Sequence, residues 1–182
     1  MNKLWMDTAG WVGAAVAALS LAFAAPTDSS VMGKLPFTLA KRADRQPVAL
    51  PADLPSHRTL VVVTFKRDQR DDAERWIEGL DLRRAADVRW VRMPVIDAPA
   101  DDTARTAAEE RLFGHFDSHP DRQSVLAVFT DREAFLRRSG LAHHDRVHVL
   151  VLNREGDVLA RAEGPYDAGR AMALRETLLE DD

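Results

Sequence analysis

The stretch "TLVVVTF", Thr59 to Phe65, runs into "KRDQRDDAERW" with no glycine or proline between them. A continuous β-branched run of this kind suits a strand covered on both faces, as in a parallel sheet. Beyond Lys66 and Arg67 the apolar period changes: Ala73, Trp76, Ile77 and Leu80 share one helical face. Asp71, Asp72 and Glu74 crowd the first turn and Arg83 with Arg84 closes the last, which suits the helix macrodipole. The spacing predicts a helix over 69–84, with Val62 and Trp76 both buried. A strand that feeds a helix so directly commits the chain to a layered α/β arrangement.

The rest of the chain repeats the move. "LPFTLA" (35–40) and "QPVALP" (46–51) read as short edge strands, where proline is tolerated. "VRWVRMPVI", Val88 to Ile96, predicts a strand stopped or bent at Pro94. Thr103 is then an expected N-cap for a helix carrying Leu112, Phe113 and Phe116 and ended by Pro120. "SVLAVFTD", Ser124 to Asp131, leads into a short helix with capping-box spacing at Thr130 and Glu133 and a stop at Gly140. Strands over 147–152 and 158–162 flank a turn at Asn153 to Gly156, an antiparallel hairpin, and a last helix runs over 167–179. Strands alternating with helices argue for an α/β layer fold, and the closing hairpin makes its sheet mixed rather than purely parallel.

Composition removes several chemistries. The chain contains no cysteine, which excludes disulfide exchange, a peroxidatic thiolate, a cysteine nucleophile and a thiolate metal site. A net charge of −4 offers no general basic field, so nucleic acid is not expected as a partner. With 182 residues, one folded domain is the expectation. Lys3 precedes the apolar run "WVGAAVAALSLAFA", Trp11 to Ala24, and Ala22-Phe23-Ala24 supplies small residues ahead of a cut. The reading is a signal peptide over 1–24 and an exported, periplasmic product, with an uncleaved anchor as the alternative; an N-terminal extension follows over 25–56 and the main body over 57–182. No membrane span is expected in the mature chain unless the leader is retained.

"MGKLPFTL", "TLVVVTF", "SVLAVFTD" and above all the hairpin "VLVLNREGDVLARAEGPYD" resemble the thioredoxin superfamily, particularly its peroxiredoxin-like and ResA-like branches. "TLVVVTFKRDQ", Trp76 and "MPVI" at Met93 to Ile96 are most similar to the mitochondrial ATPase-assembly-factor group, whose members are thioredoxin-like and act in assembly of a membrane complex. The resemblance implies a thioredoxin-like three-layer α/β fold, a central mixed β-sheet with helices on both faces, from about Gly33 onward. It places the redox cysteines in Arg67 to Ala73, "RDQRDDA", which has no thiol, and a cis proline before the hairpin strand, where this chain has "HHDRVHVL". Redox turnover is therefore not carried over with the scaffold.

What remains is recognition. Lys66, Arg67, Gln69 and Arg70 gather where a strand's carboxyl end meets a helix start, a place suited to an anion or a peptide carboxylate. Asp68, Asp71 and Asp72 interleave with them, so a solvated, capped helix start is the competing reading. His115 and His119 have i, i+4 spacing, and His143, His144 and His148 cluster with Asp145, giving weak candidate metal ligands. No nucleophile elbow, phosphate loop or dinucleotide fingerprint is present. The expectation is a non-catalytic domain without a cofactor that binds another protein, as an accessory or assembly factor of the cell envelope. A small-anion binder or enzyme at 67–70 is the first alternative and a histidine-based metal binder the second.

Overall fold

In the computed structural model, which describes residues 32–180, the chain runs β1 (Thr38–Arg42), β2 (Pro47–Leu50), β3 (Thr59–Thr64), α1 (Arg70–Gly79), β4 (Trp90–Asp97), α2 (Asp102–Phe116), β5 (Leu126–Thr130), α3 (Arg132–Ser139), β6 (His148–Leu152), β7 (Val158–Glu163) and α4 (Ala168–Leu179). The expected leader over 1–24 lies outside the described residues. The strands form one seven-stranded sheet in the order β2-β1-β5-β4-β3-β6-β7. β3, β4 and β5 are parallel, and the flanking pairs are antiparallel.

β3 is buried at all six positions because it has a partner strand on each edge and a packed layer on each face. Leu60 and Val62 pack with Trp76 and Ile77 of α1 and Leu174 of α4. Val61 and Val63 face the opposite layer with Phe135 and Leu136 of α3. Trp76 and Val62, expected inside, are fully buried. Each such aliphatic side chain contributes roughly 1.5–3 kcal/mol over its exposed state. α2 covers β5 separately, through Phe113 and Phe116 on Val125 and Ala127.

Several boundaries differ from the sequence expectation. The first helix ends at Gly79, short of Arg84, because the chain turns through a left-handed residue, Asp81 at φ 52°. Asp81 N–H donates to Glu78 O at 2.9 Å and Leu82 N–H to Ile77 O at 3.0 Å, a Schellman closure with aspartate where glycine is usual. Gly79 itself lies under the Tyr166 ring, which a Cβ there would meet at 2.3 Å. β4 runs through Pro94 to Asp97, since its ladder to β3 ends at Pro94 and its ladder to β5 starts at Val95.

The caps also shift. Asp101, not Thr103, accepts Ala104 N–H at 2.7 Å, and Asp131, not Thr130, accepts Ala134 N–H at 2.9 Å. A carboxylate at a helix start gains from the dipole as well as from the hydrogen bond. Only β2 of the first pair is an edge strand; β1 is paired on both sides, with β2 and β5, so the segment before Thr59 completes the same sheet.

Candidate functional site

The chain leaves β3 at Phe65 and turns through a single 3-10 turn, Arg67–Gln69, into α1. Gln69 braces this turn from inside and is only 4% exposed. Its Oε1 accepts Phe65 N–H at 2.7 Å and Lys66 N–H at 3.2 Å, while Nε2 donates to His144 O at 2.9 Å. The Gln69 amide is thus consumed within the fold, whereas Lys66 and Arg67 are exposed and Arg70 is half-buried. Of the residues singled out at this junction, three line the same cleft and Gln69 holds them in place.

That cleft, about 400 Å³, lies at the carboxyl ends of β3 and β4 between the start of α1 and the second half of α2. Its apolar lining comes from Phe65, Pro94, Ile96, Leu112 and Phe116. Lys66, Arg67 and Arg70 line it from the β3–α1 junction and Arg111 from α2. Asp68, Asp71 and Asp72 alternate with these cations along the chain but do not line the cleft, and Asp72 pairs with Arg75 at 3.0 Å. Lys66, Arg67 and Arg70 therefore reach the cleft while, among the described residues, none of the three aspartates forms an ion pair with them.

Arg92 also reaches the cleft, but from below and fully engaged. Its guanidinium donates to Glu74 Oε1 at 2.5 Å, is 3.6 Å from Asp121 Oδ2, and packs 5.5 Å from the Phe116 ring centre. Arg83 contacts both Asp121 oxygens at 2.7 Å and Glu74 Oε2 at 2.6 Å. Burial alone would raise the Glu74 pKa, but the hydrogen bonds from Arg83 and Arg92 outweigh it and hold that carboxyl below its ordinary value. His119 approaches both acids, at 3.8 Å and 3.6 Å. Glu74, His119 and Asp121 converge closely enough for a cation, yet two guanidinium groups already occupy the carboxylate oxygens. The sequence sign of this network was an arginine in the apolar strand "VRWVRMPVI"; its partners are 18 and 29 positions away in the chain, beyond any local pattern.

The other histidines are not brought together. His148 is buried and its Nε2 lies 2.6 Å from His143 O, with Nδ1 3.8 Å from Glu163. His144 instead lies 3.5 Å from Glu133. His115 stacks near His119, ring centres 5.9 Å apart, but His119 belongs to the arginine–carboxylate network and His115 is on the exposed face of α2.

No protein-family model and no curated protein matches the sequence. Solved structures do match the fold. The exposed lipoprotein thioredoxin Etrx1 of Streptococcus pneumoniae superposes with TM-score 0.51 at 11% identity, over 78% of this chain and 99% of that one. BsSco, a member of the Sco family of cytochrome c oxidase assembly proteins, gives 0.52 at 11% identity over 81% and 93%. Yeast Sco1 with copper bound gives 0.53 at 12% over 82% and 95%. With its mixed seven-stranded sheet and helices on both faces, the chain has a thioredoxin-like fold.

Proposed function

We propose that this protein is a recognition domain, built on a thioredoxin-like scaffold without thiol chemistry, that binds another protein through the cleft at the carboxyl ends of β3 and β4. The observation that carries the reading is the cleft itself: apolar walls ringed by Lys66, Arg67, Arg70 and Arg111 at the start of the helix where the resemblance places a redox motif, in a chain with no cysteine. Clefts with an apolar lining and a few convergent polar groups are the usual binding sites of α/β folds. In the same reading the apolar leader exports the chain, and it serves as an accessory or assembly factor of the cell envelope. The name of BsSco as a member of an assembly-protein family and that of Etrx1 as an exposed lipoprotein support this setting. The resemblance of "TLVVVTFKRDQ" and "MPVI" to the ATPase-assembly-factor group supports a membrane complex as what is assembled.

The test is photo-crosslinking in cells producing the full chain, with a photoreactive residue at Lys66 or Arg111 and a control at Arg154. Arg154 is in the hairpin turn at the other end of the sheet. The expected result is one defined envelope-protein adduct from both cleft positions and none from Arg154. Equal labelling at all three positions, or turnover of a substrate by the purified protein, overturns the reading.

A further inference from the structure

The cleft's charge is unbalanced in a way that specifies a ligand. Among the described residues, Lys66, Arg67, Arg70 and Arg111 make no ion pair, and no carboxylate lines the cleft. This patch occurs on a chain whose net charge is −4. Arg92 shows the contrast, since it reaches the same cleft but is neutralised by Glu74 and Asp121. The crowding acts on neighbouring groups. The Arg70 guanidinium is pushed below its ordinary pKa by burial first, then by Arg67 and Arg92. The His115 imidazole is lowered by burial first, then by Arg70, His119, Arg92 and Arg67. An anion held here would remove that repulsion.

The shape narrows the anion. Three of the cations come from the β3–α1 junction and the fourth from α2, with apolar lining from Phe65, Ile96 and Leu112, so a ligand meeting both elements needs two negative groups with an apolar part between them. A volume of about 400 Å³ admits a large side chain with its flanking backbone and excludes a folded element. With a net charge of −4, the chain offers no general basic field to a polyanion such as nucleic acid.

Resting on the protein-recognition reading, we infer that the cleft takes a short extended segment of the partner in which two acidic residues bracket a bulky apolar one. The apolar side chain packs on Phe65, Ile96 and Leu112, and the carboxylates reach Lys66, Arg67 and Arg70 of the junction and Arg111 of α2.

The experiment is fluorescence anisotropy on the full chain with a rhodamine-labelled, amidated peptide Gly-Asp-Leu-Phe-Glu-Gly. Its comparisons are Gly-Asn-Leu-Phe-Gln-Gly, Gly-Asp-Ser-Ser-Glu-Gly and free 3-phenylpropionate as competitor. The acidic-apolar peptide is expected to bind about tenfold more tightly than either altered peptide, a preference lost in Arg67→Glu/Arg111→Glu and weakened by salt. Both substitutions are at exposed side chains, and an unchanged far-UV spectrum confirms the fold. Equal binding of the acidic and amide peptides, retention of the preference in the double variant, or binding of the free acid without any peptide preference overturns the inference. Cleft-specific crosslinks without a preference for acidic peptide leave the recognition reading standing and sink only this one.

Discussion

Gln69 donates its side-chain amide to the His144 carbonyl at 2.9 Å while accepting the Phe65 N–H at 2.7 Å, so one residue ties the end of β3 to the loop that precedes β6. That loop is where the resemblance expects a cis proline, and here a hydrogen bond joins it to the junction. Gln69→Ala leaves the Phe65 N–H and the His144 carbonyl without these partners. An unsatisfied buried donor costs about 1–3 kcal/mol, so urea denaturation should show a loss of about 2 kcal/mol. A change below about 0.5 kcal/mol, the usual size for surface positions, would show that the bridge is not structural.

Asp81 closes α1 in the left-handed region at φ 52°, which costs an L-residue with a Cβ and suits glycine. Asp81→Gly should stabilise the protein by up to about 1 kcal/mol, less the added freedom of the unfolded chain. Its salt bridge to Arg84, at 4.0 Å between exposed groups, offsets little of this. The readout is the denaturation midpoint, and a lower midpoint would contradict the Schellman assignment.

Arg83 and Arg75 both pair with acids and should differ sharply when removed. Asp121 is 2% exposed and receives two hydrogen bonds from Arg83, whereas Arg75 meets Asp72 at the surface. Breaking a buried pair leaves an uncompensated charge, so Arg83→Met should cost about 3 kcal/mol, with Arg92 at 3.6 Å giving partial relief. Arg75→Met should cost less than about 1 kcal/mol. Thermal melts of the two variants side by side decide it; similar losses would remove the special role given to the network.

His148 makes stability depend on pH. Burial, the largest influence, lowers its pKa below the ordinary 6.5, against the opposing pull of the His143 carbonyl and Glu163, while His143 and Arg161 add to the lowering. The unfolded chain therefore takes up a proton at pH values where the folded chain does not. This contribution to stability is complete above about pH 6.5 and is lost as pH falls below it. Glu74, whose pKa is also held down, has the same sign in a lower window, below its ordinary 4.5. In His148→Gln, which keeps a donor for the His143 carbonyl, the drop in urea midpoint between pH 7.5 and 5.5 should shrink. An unchanged drop would assign it to other groups.

Strand-to-helix alternation, the closing hairpin and the buried character of "TLVVVTF" were legible because each is a pattern over fewer than about 18 neighbouring residues. The helix end at Gly79 was not, since aspartate at the left-handed position hid a signal that glycine would have displayed. Lys66, Arg67 and Arg70 could be picked out as a cluster from their order alone, but Gln69 could not be told apart from them. Its inward rotation depends on the His144 carbonyl, 75 residues away.

Sequence alone determined the layered α/β class and the exclusion of thiol chemistry, because periodicity is local and a missing atom cannot be supplied by folding. Tertiary structure decided which charges stand together. It brought Lys66, Arg67 and Arg70 to the same cleft as Arg111, with none of the intervening aspartates in its lining, and buried Arg92 against Glu74 and Asp121. The physical reason is that Coulomb interactions depend on distance in space and on burial, and sequence order specifies neither.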